Sequence, residues 1–182
     1  YYTNPEYVEK CRLQKILNKL SYEINVNEPS GLTLEDFKKA LSNNPRDVNK
    51  IFEDNAEVFY NLEQKYRING LFIAALGIHE SAWGTSAIAK DKLNLFGYGA
   101  YDDTPYESAL TFNSYAEGIE TVTKSLIKNY LNVAGTEIYD GEIATGKYYH
   151  GTTIASINVK YATDENWANA IYNILEGLYE KL

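Results

Sequence analysis

Apolar residues recur at helical spacing in several separate stretches of the chain, and this pattern predicts a mostly helical fold. The stretches expected to be helical are residues 5–22, 34–41, 47–66, 71–82, 114–132 and 167–182. Thr33 precedes the second of them, with Asp36 three residues later, which predicts a capping box at its start. Segments rich in glycine, proline and polar residues separate the helices.

Residues 71–82 differ from the other predicted helices because they are apolar almost all round. Only His79 and Glu80 interrupt the apolar run before the helix ends. A helix of this kind is buried at the centre of a domain, and it is too short to span a bilayer. We therefore expect a core helix that carries Glu80 near its C-terminal end.

Residues 93–113, LNLFGYGAYDDTPYESALTFN, combine glycine and proline with alternating aromatic residues, which predicts loops and a small β-hairpin. Placed between the central helix and the later helices, this insertion gives an expected fold class of α+β in which helices dominate.

The composition limits the classes of partner. A chain of 182 residues fits one domain, or one domain with an N-terminal extension. Its net charge of -8, without a local run of lysine and arginine, argues against nucleic-acid binding. Cys11 is the single cysteine, so the chain cannot form an internal disulfide. Because the sequence contains no methionine, we expect it to be a fragment or processed form of a longer protein.

Two motif matches fail for chemical reasons. His79 and Glu80 begin the zinc motif H-E-x-x-H, but Trp83 stands where the second histidine should be. The sequence GEIATGKY resembles a phosphate-binding loop up to Lys147, but Tyr148 replaces the required serine or threonine. We therefore expect no metal site and no cofactor.

Glu80 has two interpretations on chemical grounds alone. Burial and the negative end of the helix dipole both raise the pKa of a carboxyl at this place, which suits a proton donor. A structural carboxylate that bonds to neighbouring backbone, or pairs with a lysine, would fit the same position. These grounds leave both interpretations open.

A resemblance favours the first interpretation. The segment ALGIHESAWGTSAIAKDKLNLFGYGAYDDTPY resembles the catalytic segment of bacterial peptidoglycan glucosaminidases of glycoside hydrolase family 73, marked by Glu-Ser, Gly-x-Ser and Asn-x-Phe-Gly. Two later segments, FNSYAEGIETVTKSLIKNYL and INVKYATDENWANAIYNIL, resemble the family's later helix and its Tyr-Ala-x-Asp segment. The resemblance covers residues 32–182, which predicts a catalytic domain there and a helical extension over residues 1–31.

The resemblance implies a lysozyme-like α+β domain with a small β-containing lobe beside the cleft. It implies hydrolysis of the β-1,4 bond between N-acetylglucosamine and N-acetylmuramic acid, with Glu80 as the general acid. The expected setting is cell-wall remodelling, daughter-cell separation or autolysis. The expected protein is an extracellular, wall-associated monomer of a Gram-positive bacterium, without a membrane span, that acts on peptidoglycan glycan strands.

The same resemblance suggests the remaining site residues. Asp102 or Asp103 is the expected second catalytic group, and Tyr161 is expected to hold the acetamido group or a water. The substrate's own acetamido oxygen is an alternative nucleophile. The expected substrate-binding residues are Trp83, Asn94, Phe96, Tyr98, Tyr101, Tyr106, Tyr130 and Asp164.

Two alternative functions stay open at this point. A muramidase or lytic transglycosylase of the lysozyme superfamily also uses a Glu-Ser pair at a helix end, but it cuts the other glycan linkage. A non-catalytic wall-binding module would keep a tyrosine-lined groove without needing Glu80.

Overall fold

The computed structural model describes residues 4–100 and 103–182. Tyr101 and Asp102, two of the expected site residues, therefore lie outside the described residues. The described part forms ten helices: α1 (Pro5–Asn18), α2 (Leu34–Leu41), α3 (Ile51–Asp54), α4 (Ala56–Tyr66), α5 (Gly70–Ser81), α6 (Ala87–Lys92), α7 (Pro105–Ser108), α8 (Tyr115–Asn129), α9 (Ile154–Tyr161) and α10 (Trp167–Tyr179). None of the helices in these two ranges is long and apolar enough to cross a membrane.

Helix α5 is the centre of the fold, as its apolar sequence predicts. Every residue from Gly70 to Ile78 is buried, and α4, α8 and α10 pack around the helix. Because Gly77 has no side chain, two aromatic rings pack closely against α5 at this position. A Cβ on Gly77 would lie 3.3 Å from the rings of both Phe52 and Phe96. The domain core is therefore built around α5.

A buried polar network fixes the start of α5. The carboxylate of Glu63, which is fully buried, accepts the backbone N–H of Gly70 at 3.0 Å. The side chain of Asn69 accepts the N–H of Phe72 at 3.0 Å and donates to the Tyr179 hydroxyl at 3.1 Å. These bonds satisfy groups that would otherwise be buried without partners, and they join α4, α5 and α10 at one point.

The segment before α2 packs on the same core. Val26 is fully buried, and its carbonyl accepts the N–H of Asn69 at 2.9 Å. Arg12 on α1 donates to the Gly31 carbonyl at 2.7 Å and pairs with Asp36 at 3.2 Å. A domain boundary after residue 31 stays a prediction, but residues on both sides of it share one core.

The helical prediction is confirmed for α2, including the capping box between Thr33 and Asp36. It is wrong in one detail, because residues 47–66 form two helices, α3 and α4, that meet at Asn55. The buried carboxylate of Asp47 accepts the N–H groups of Phe52 and Glu53 at 3.1 and 3.0 Å, and Lys50 adopts a left-handed φ of 53°. This side-chain cap starts α3 after Lys50, so no helix continues from Asp47.

The small β-containing lobe is not confirmed. Residues 93–100 and 103–113 contain no strand, and the one β-bridge in the described ranges joins Glu137 and Ile143. Backbone bonds such as that from the Leu110 N–H to the Tyr98 carbonyl, at 2.9 Å, link the two segments, and side chains add further bonds to carbonyls there. The side-chain amide of Asn94 donates to the carbonyls of Tyr98 and Leu110 at 3.0 and 2.9 Å, and Lys92 donates to the Ala109 carbonyl at 3.0 Å. The structure confirms the coarser prediction of a mostly helical fold.

We predict that Gly70→Ala destabilises the protein by about 1–3 kcal/mol, the usual cost of overpacking a core. The new Cβ would lie 2.5 Å from the Phe59 carbonyl oxygen and 2.8 Å from the Phe37 ring. Gly177→Ala on α10 is the matched control, because its Cβ meets nothing within 4 Å; it should stabilise by up to about 1 kcal/mol through helix propensity. Urea unfolding measures both, and equal stabilities would contradict the packing argument.

Candidate active site

A cleft of 640 Å³ lies at the C-terminal end of α5. Residues from α5, α8, α9, α10 and the loop after α6 form its walls. The lining residues are His79, Glu80, Phe96, Gly97, Tyr98, Gly99, Ala100, Val122, Ser125, Leu126, Tyr130, Tyr161, Ala162, Asp164 and Trp167. Three tyrosines, one tryptophan and two carboxylates in one cleft suit a polar ligand with apolar faces.

Glu80 is half-buried at the wall of this cleft, one residue before the end of α5. Its Oε1 accepts a hydrogen bond from the indole N–H of Trp167 at 2.7 Å. An indole nitrogen can only donate, so Oε1 acts as the acceptor and a proton on the neutral carboxyl is favoured on Oε2. The contact therefore gives the two carboxyl oxygens different roles.

Burial raises the pKa of the Glu80 carboxyl above its ordinary value. The hydrogen bond from Trp167 and the neighbouring His79 lower this pKa, but their effects are smaller than that of burial. A carboxyl with a raised pKa keeps its proton to higher pH, which is the property a general acid needs.

Ser81 shapes the exit from α5. Its hydroxyl donates to the Gly77 carbonyl at 2.6 Å and accepts the N–H of Gly84 at 2.8 Å. Between them the chain makes a left-handed turn, with φ of 50° at Ala82, 60° at Trp83 and 75° at Gly84. This turn ends the helix just after Glu80, so the carboxyl lies at a helix end facing the cleft.

Asn158 on α9 holds the turn that brings Trp167 to Glu80. Its side-chain nitrogen donates to the carbonyls of Ala162 and Asp164 at 3.1 and 3.0 Å, and its oxygen accepts the N–H of Ala168 at 3.1 Å. With all these groups satisfied, the segment between α9 and α10 has a fixed path. Trp167, the first residue of α10, is buried and points its N–H at the carboxyl.

A row of four aromatic rings begins at this contact, and the first three, Trp167, Tyr161 and Tyr130, line the cleft. The Trp167 ring lies 5.1 Å from Tyr161, Tyr161 lies 5.4 Å from Tyr130, and Tyr130 lies 5.1 Å from Tyr148, measured between centroids. Burial, together with the nearby Glu80 carboxylate, raises the pKa of Tyr161, so its phenol stays neutral and can donate a hydrogen bond. The row forms a packed aromatic wall.

The structure brings together half of the expected site residues. Those that line the cleft are Glu80, Phe96, Tyr98, Tyr130, Tyr161 and Asp164. The carboxylate of Asp164 also accepts the N–H of Asn166 at 2.9 Å. Except for Asp164, each of these residues is buried or half-buried.

Four other expected residues lie away from the cleft. Trp83 packs edge-on against Phe52, with centroids 5.9 Å apart, and Asn94 is buried in the hydrogen bonds described above. The hydroxyl of Tyr106 donates to Asp91 at 3.0 Å, and Asp103 is exposed. Asn94 still supports the site, because it accepts the N–H of Tyr98 at 3.0 Å and so fixes that residue's backbone.

Sequence reasoning missed Trp167. It appears only as the first apolar residue of the last amphipathic helix, and its partner lies 87 positions earlier in the chain. The one available signal was chemical, since a buried tryptophan needs an acceptor for its N–H. Across residues 4–100 and 103–182, no cluster of three or more His, Cys, Asp or Glu side chains could hold a metal ion.

Comparison with known proteins decides the family. A family model described as mannosyl-glycoprotein endo-β-N-acetylglucosaminidase, named Glucosaminidase, matches residues 56–180, which include Glu80, Tyr161 and Trp167. The chain belongs to the glucosaminidase family. Glu80 and its hydrogen-bond partner Trp167 both lie inside the matched region.

Two relatives show that this chain matches a small part of much longer proteins. A candidate endo-β-N-acetylglucosaminidase of Streptococcus pneumoniae is 37% identical over 134 residues, which cover 74% of this chain and 18% of that protein. A bifunctional autolysin of Staphylococcus aureus is 24% identical over 179 residues, which cover 90% of this chain and 14% of that protein. The chain therefore spans less than a fifth of the length of either relative.

The fold is similar to that of a solved autolysin structure. The crystal structure of S. aureus autolysin E superimposes with a TM-score of 0.59 at 18% identity, covering 93% of this chain and 77% of that one. A further structure of autolysin E is a catalytic mutant, glutamate to alanine, in complex with the disaccharide NAG-NAM; it has a TM-score of 0.58 at 17% identity and covers 92% and 77% of the two chains.

We predict that Trp167→Phe raises the pKa of Glu80, because it removes a hydrogen bond that favours the charged carboxylate. Trp83→Phe is the matched control, since Trp83 packs on Phe52 rather than on the carboxyl, and it should leave this pKa unchanged. NMR titration of ¹³C-labelled glutamate side chains measures both variants. An unshifted Glu80 titration in folded Trp167→Phe would contradict the assigned contact.

Proposed function

We propose that this domain is a peptidoglycan hydrolase that cleaves the β-1,4 bond between N-acetylglucosamine and N-acetylmuramic acid. The observation that carries the proposal is the Glu80 carboxyl, desolvated in an aromatic cleft and fixed at one oxygen by Trp167. Membership of the glucosaminidase family and the named activities of its relatives support the same reaction.

In the first step, Oε2 of Glu80 donates its proton to the glycosidic oxygen while the bond from that oxygen to C1 breaks. The muramic acid leaves as an alcohol, and positive charge develops at C1 of the N-acetylglucosamine. The indole N–H of Trp167 stabilises the carboxylate that forms on Glu80. The raised pKa of Glu80 is what keeps this proton available before the step.

The acetamido oxygen of the same N-acetylglucosamine attacks C1 and forms a cyclic oxazolinium ion, so the protein need not supply a nucleophile. Tyr161, a neutral phenol beside Glu80, donates a hydrogen bond that positions the acetamido group. Water then opens the ion at C1, and the Glu80 carboxylate takes a proton from that water. The sugar leaves with its β configuration retained.

Asp164 is the second carboxylate that lines the cleft, among the residues that the structure describes. Its charge stabilises the positive charge that develops on the sugar. Asp103 is exposed and lies outside the cleft lining, and Asp102 remains a candidate for the same task. The proposal therefore gives Asp164 a larger effect on the rate than Asp103.

The setting that we propose is the wall of a Gram-positive bacterium, outside the membrane, with the domain acting as a monomer in remodelling, cell separation or autolysis. Relatives named autolysin and endo-β-N-acetylglucosaminidase in Staphylococcus aureus and Streptococcus pneumoniae support this setting. A small β-containing lobe beside the cleft is a further part of the proposal.

Glu80→Gln is expected to lower turnover on purified peptidoglycan by at least about a hundredfold, the usual contribution of a general acid. Glu57→Gln, an exposed glutamate in the first turn of α4, is the control and should keep full activity. Release of soluble reducing ends measures the rate, and circular dichroism checks the fold. Near-normal turnover in folded Glu80→Gln would overturn the assignment.

The sugar at the new reducing end separates the proposed reaction from its rivals. N-acetylglucosamine there supports the proposal. N-acetylmuramic acid identifies a muramidase, and its anhydro form identifies a lytic transglycosylase. A folded domain that binds glycan strands without cutting them would be the non-catalytic module.

Asp164→Asn should slow the reaction more than Asp103→Asn, and both should slow it less than Glu80→Gln, because neither carboxylate forms a covalent bond in the proposed route. The same assay measures all three variants. NMR of the first-formed product should show the β anomer, and an initial α anomer would exclude the acetamido route.

A further inference from the structure

A second groove lies beside the cleft and shares a wall with it. Its volume is 710 Å³, and Tyr161 and Ala162 line both spaces. The other residues that line it are Tyr22, Ala155, Asn158, Val159, Lys160, Thr163 and Glu165. A ligand that leaves the cleft across this shared wall enters the groove directly.

The segment before α2 supplies one side of this groove. Tyr22 packs edge-on against Tyr172 of α10, with ring centroids 5.7 Å apart, and so reaches the groove from outside the region that matches the glucosaminidase family model. Asn158 at the base uses its side chain to hold the turn between α9 and α10. The groove therefore has fixed walls on both sides.

The groove carries two charges that the rest of the structure does not neutralise. Lys160 and Glu165 are both exposed, and neither forms an ion pair within residues 4–100 and 103–182. The groove also has small or aliphatic lining residues, including Val159, which is 56% exposed. A sugar backbone without charge would use neither group. A ligand with one anionic and one cationic group, joined by a short chain, would use both.

From this placement we infer that the groove binds the peptide stem that is attached to the N-acetylmuramic acid next to the cleaved bond. The stem carries a carboxylate on its D-isoglutamate and an amine on its third residue, a pattern complementary to Lys160 and Glu165. Its first residue, L-alanine, is small, which suits the surface formed by Ala155, Val159 and Ala162. The inference rests on the proposed function, because the stem enters only when the glycan lies in the cleft. Tyr22 and Lys160 thereby set the preference for stem-bearing strands.

The test compares two soluble tetrasaccharides of alternating N-acetylglucosamine and N-acetylmuramic acid. One carries L-Ala-D-isoglutamate-L-Lys stems, and the other carries a methylamide in place of each stem. The stem-bearing substrate should have a kcat/KM at least about fivefold higher, mainly through a lower KM. In Lys160→Glu the ratio of the two kcat/KM values should fall about threefold to tenfold, the range expected when a surface ion pair becomes a repulsion. Glu165→Lys should lower the ratio similarly.

Lys38→Glu is the matched control, because it makes the same charge change on α2, where Lys38 pairs with Glu35 of the same helix at 4.0 Å. The ratio should not change in this variant. With a D-isoglutamine stem, which lacks the carboxylate, Lys160→Glu should no longer lower the ratio. Equal rates on the two substrates in the wild type, or a ratio that Lys160→Glu leaves unchanged, would overturn the inference. Failure to cleave either substrate would instead overturn the proposed function.

Discussion

The burial of α5 on every side is the constraint on which the structure depends. A helix without a polar face needs neighbours all round it, and α4, α8 and α10 supply them. Glu80 lies where this apolar surface ends, so its desolvation follows from the packing of the core. Helix α10 covers α5 and also delivers Trp167 to Glu80. Stability and chemistry therefore share one helix–helix contact.

The left-handed turn after Ser81 separates two side chains that are close in the sequence: the Glu80 carboxyl, which faces the cleft, and the Trp83 ring, which packs on Phe52. Had the helix continued, Trp83 would have lain on the same face as Glu80, three residues later. Positive φ angles at Ala82, Trp83 and Gly84 instead direct the Trp83 ring onto Phe52. A Cβ on Gly84 would lie 2.6 Å from Ile51, so a glycine is needed there to complete the turn against α3. The carboxyl stays at the cleft while the next aromatic ring joins the core.

The sequence allowed prediction of those parts of the fold that local periodicity determines. Helices α2 and α5 were predicted almost to the residue. The position of Glu80 in an apolar run singled it out but left its role open, and the family resemblance favoured a general acid. The short helices α6, α7 and α9 were not predicted, because 4 to 8 residues hold little periodicity; α2 is also 8 residues long, but its capping box marked its start. Trp167 was missed because its partner is distant in sequence. Tyr101 and Asp102 stay predictions, since they lie outside the described residues.

The two walls of the cleft differ in physical kind. One is the row of rings from Trp167 to Tyr130, held by ring contacts, including that of Tyr148 with Tyr130, and by the turn that Asn158 fixes. The other is the loop at Gly97, Gly99 and Ala100, which is largely backbone; the positive φ angles of 61° at Gly97 and 83° at Gly99 favour glycine. Rings offer an apolar surface to sugar faces, whereas exposed backbone groups offer hydrogen bonds to sugar hydroxyls. Under the proposed function, a pyranose that contacts both walls would meet each with its matching side, next to the Glu80 carboxyl whose pKa burial raises.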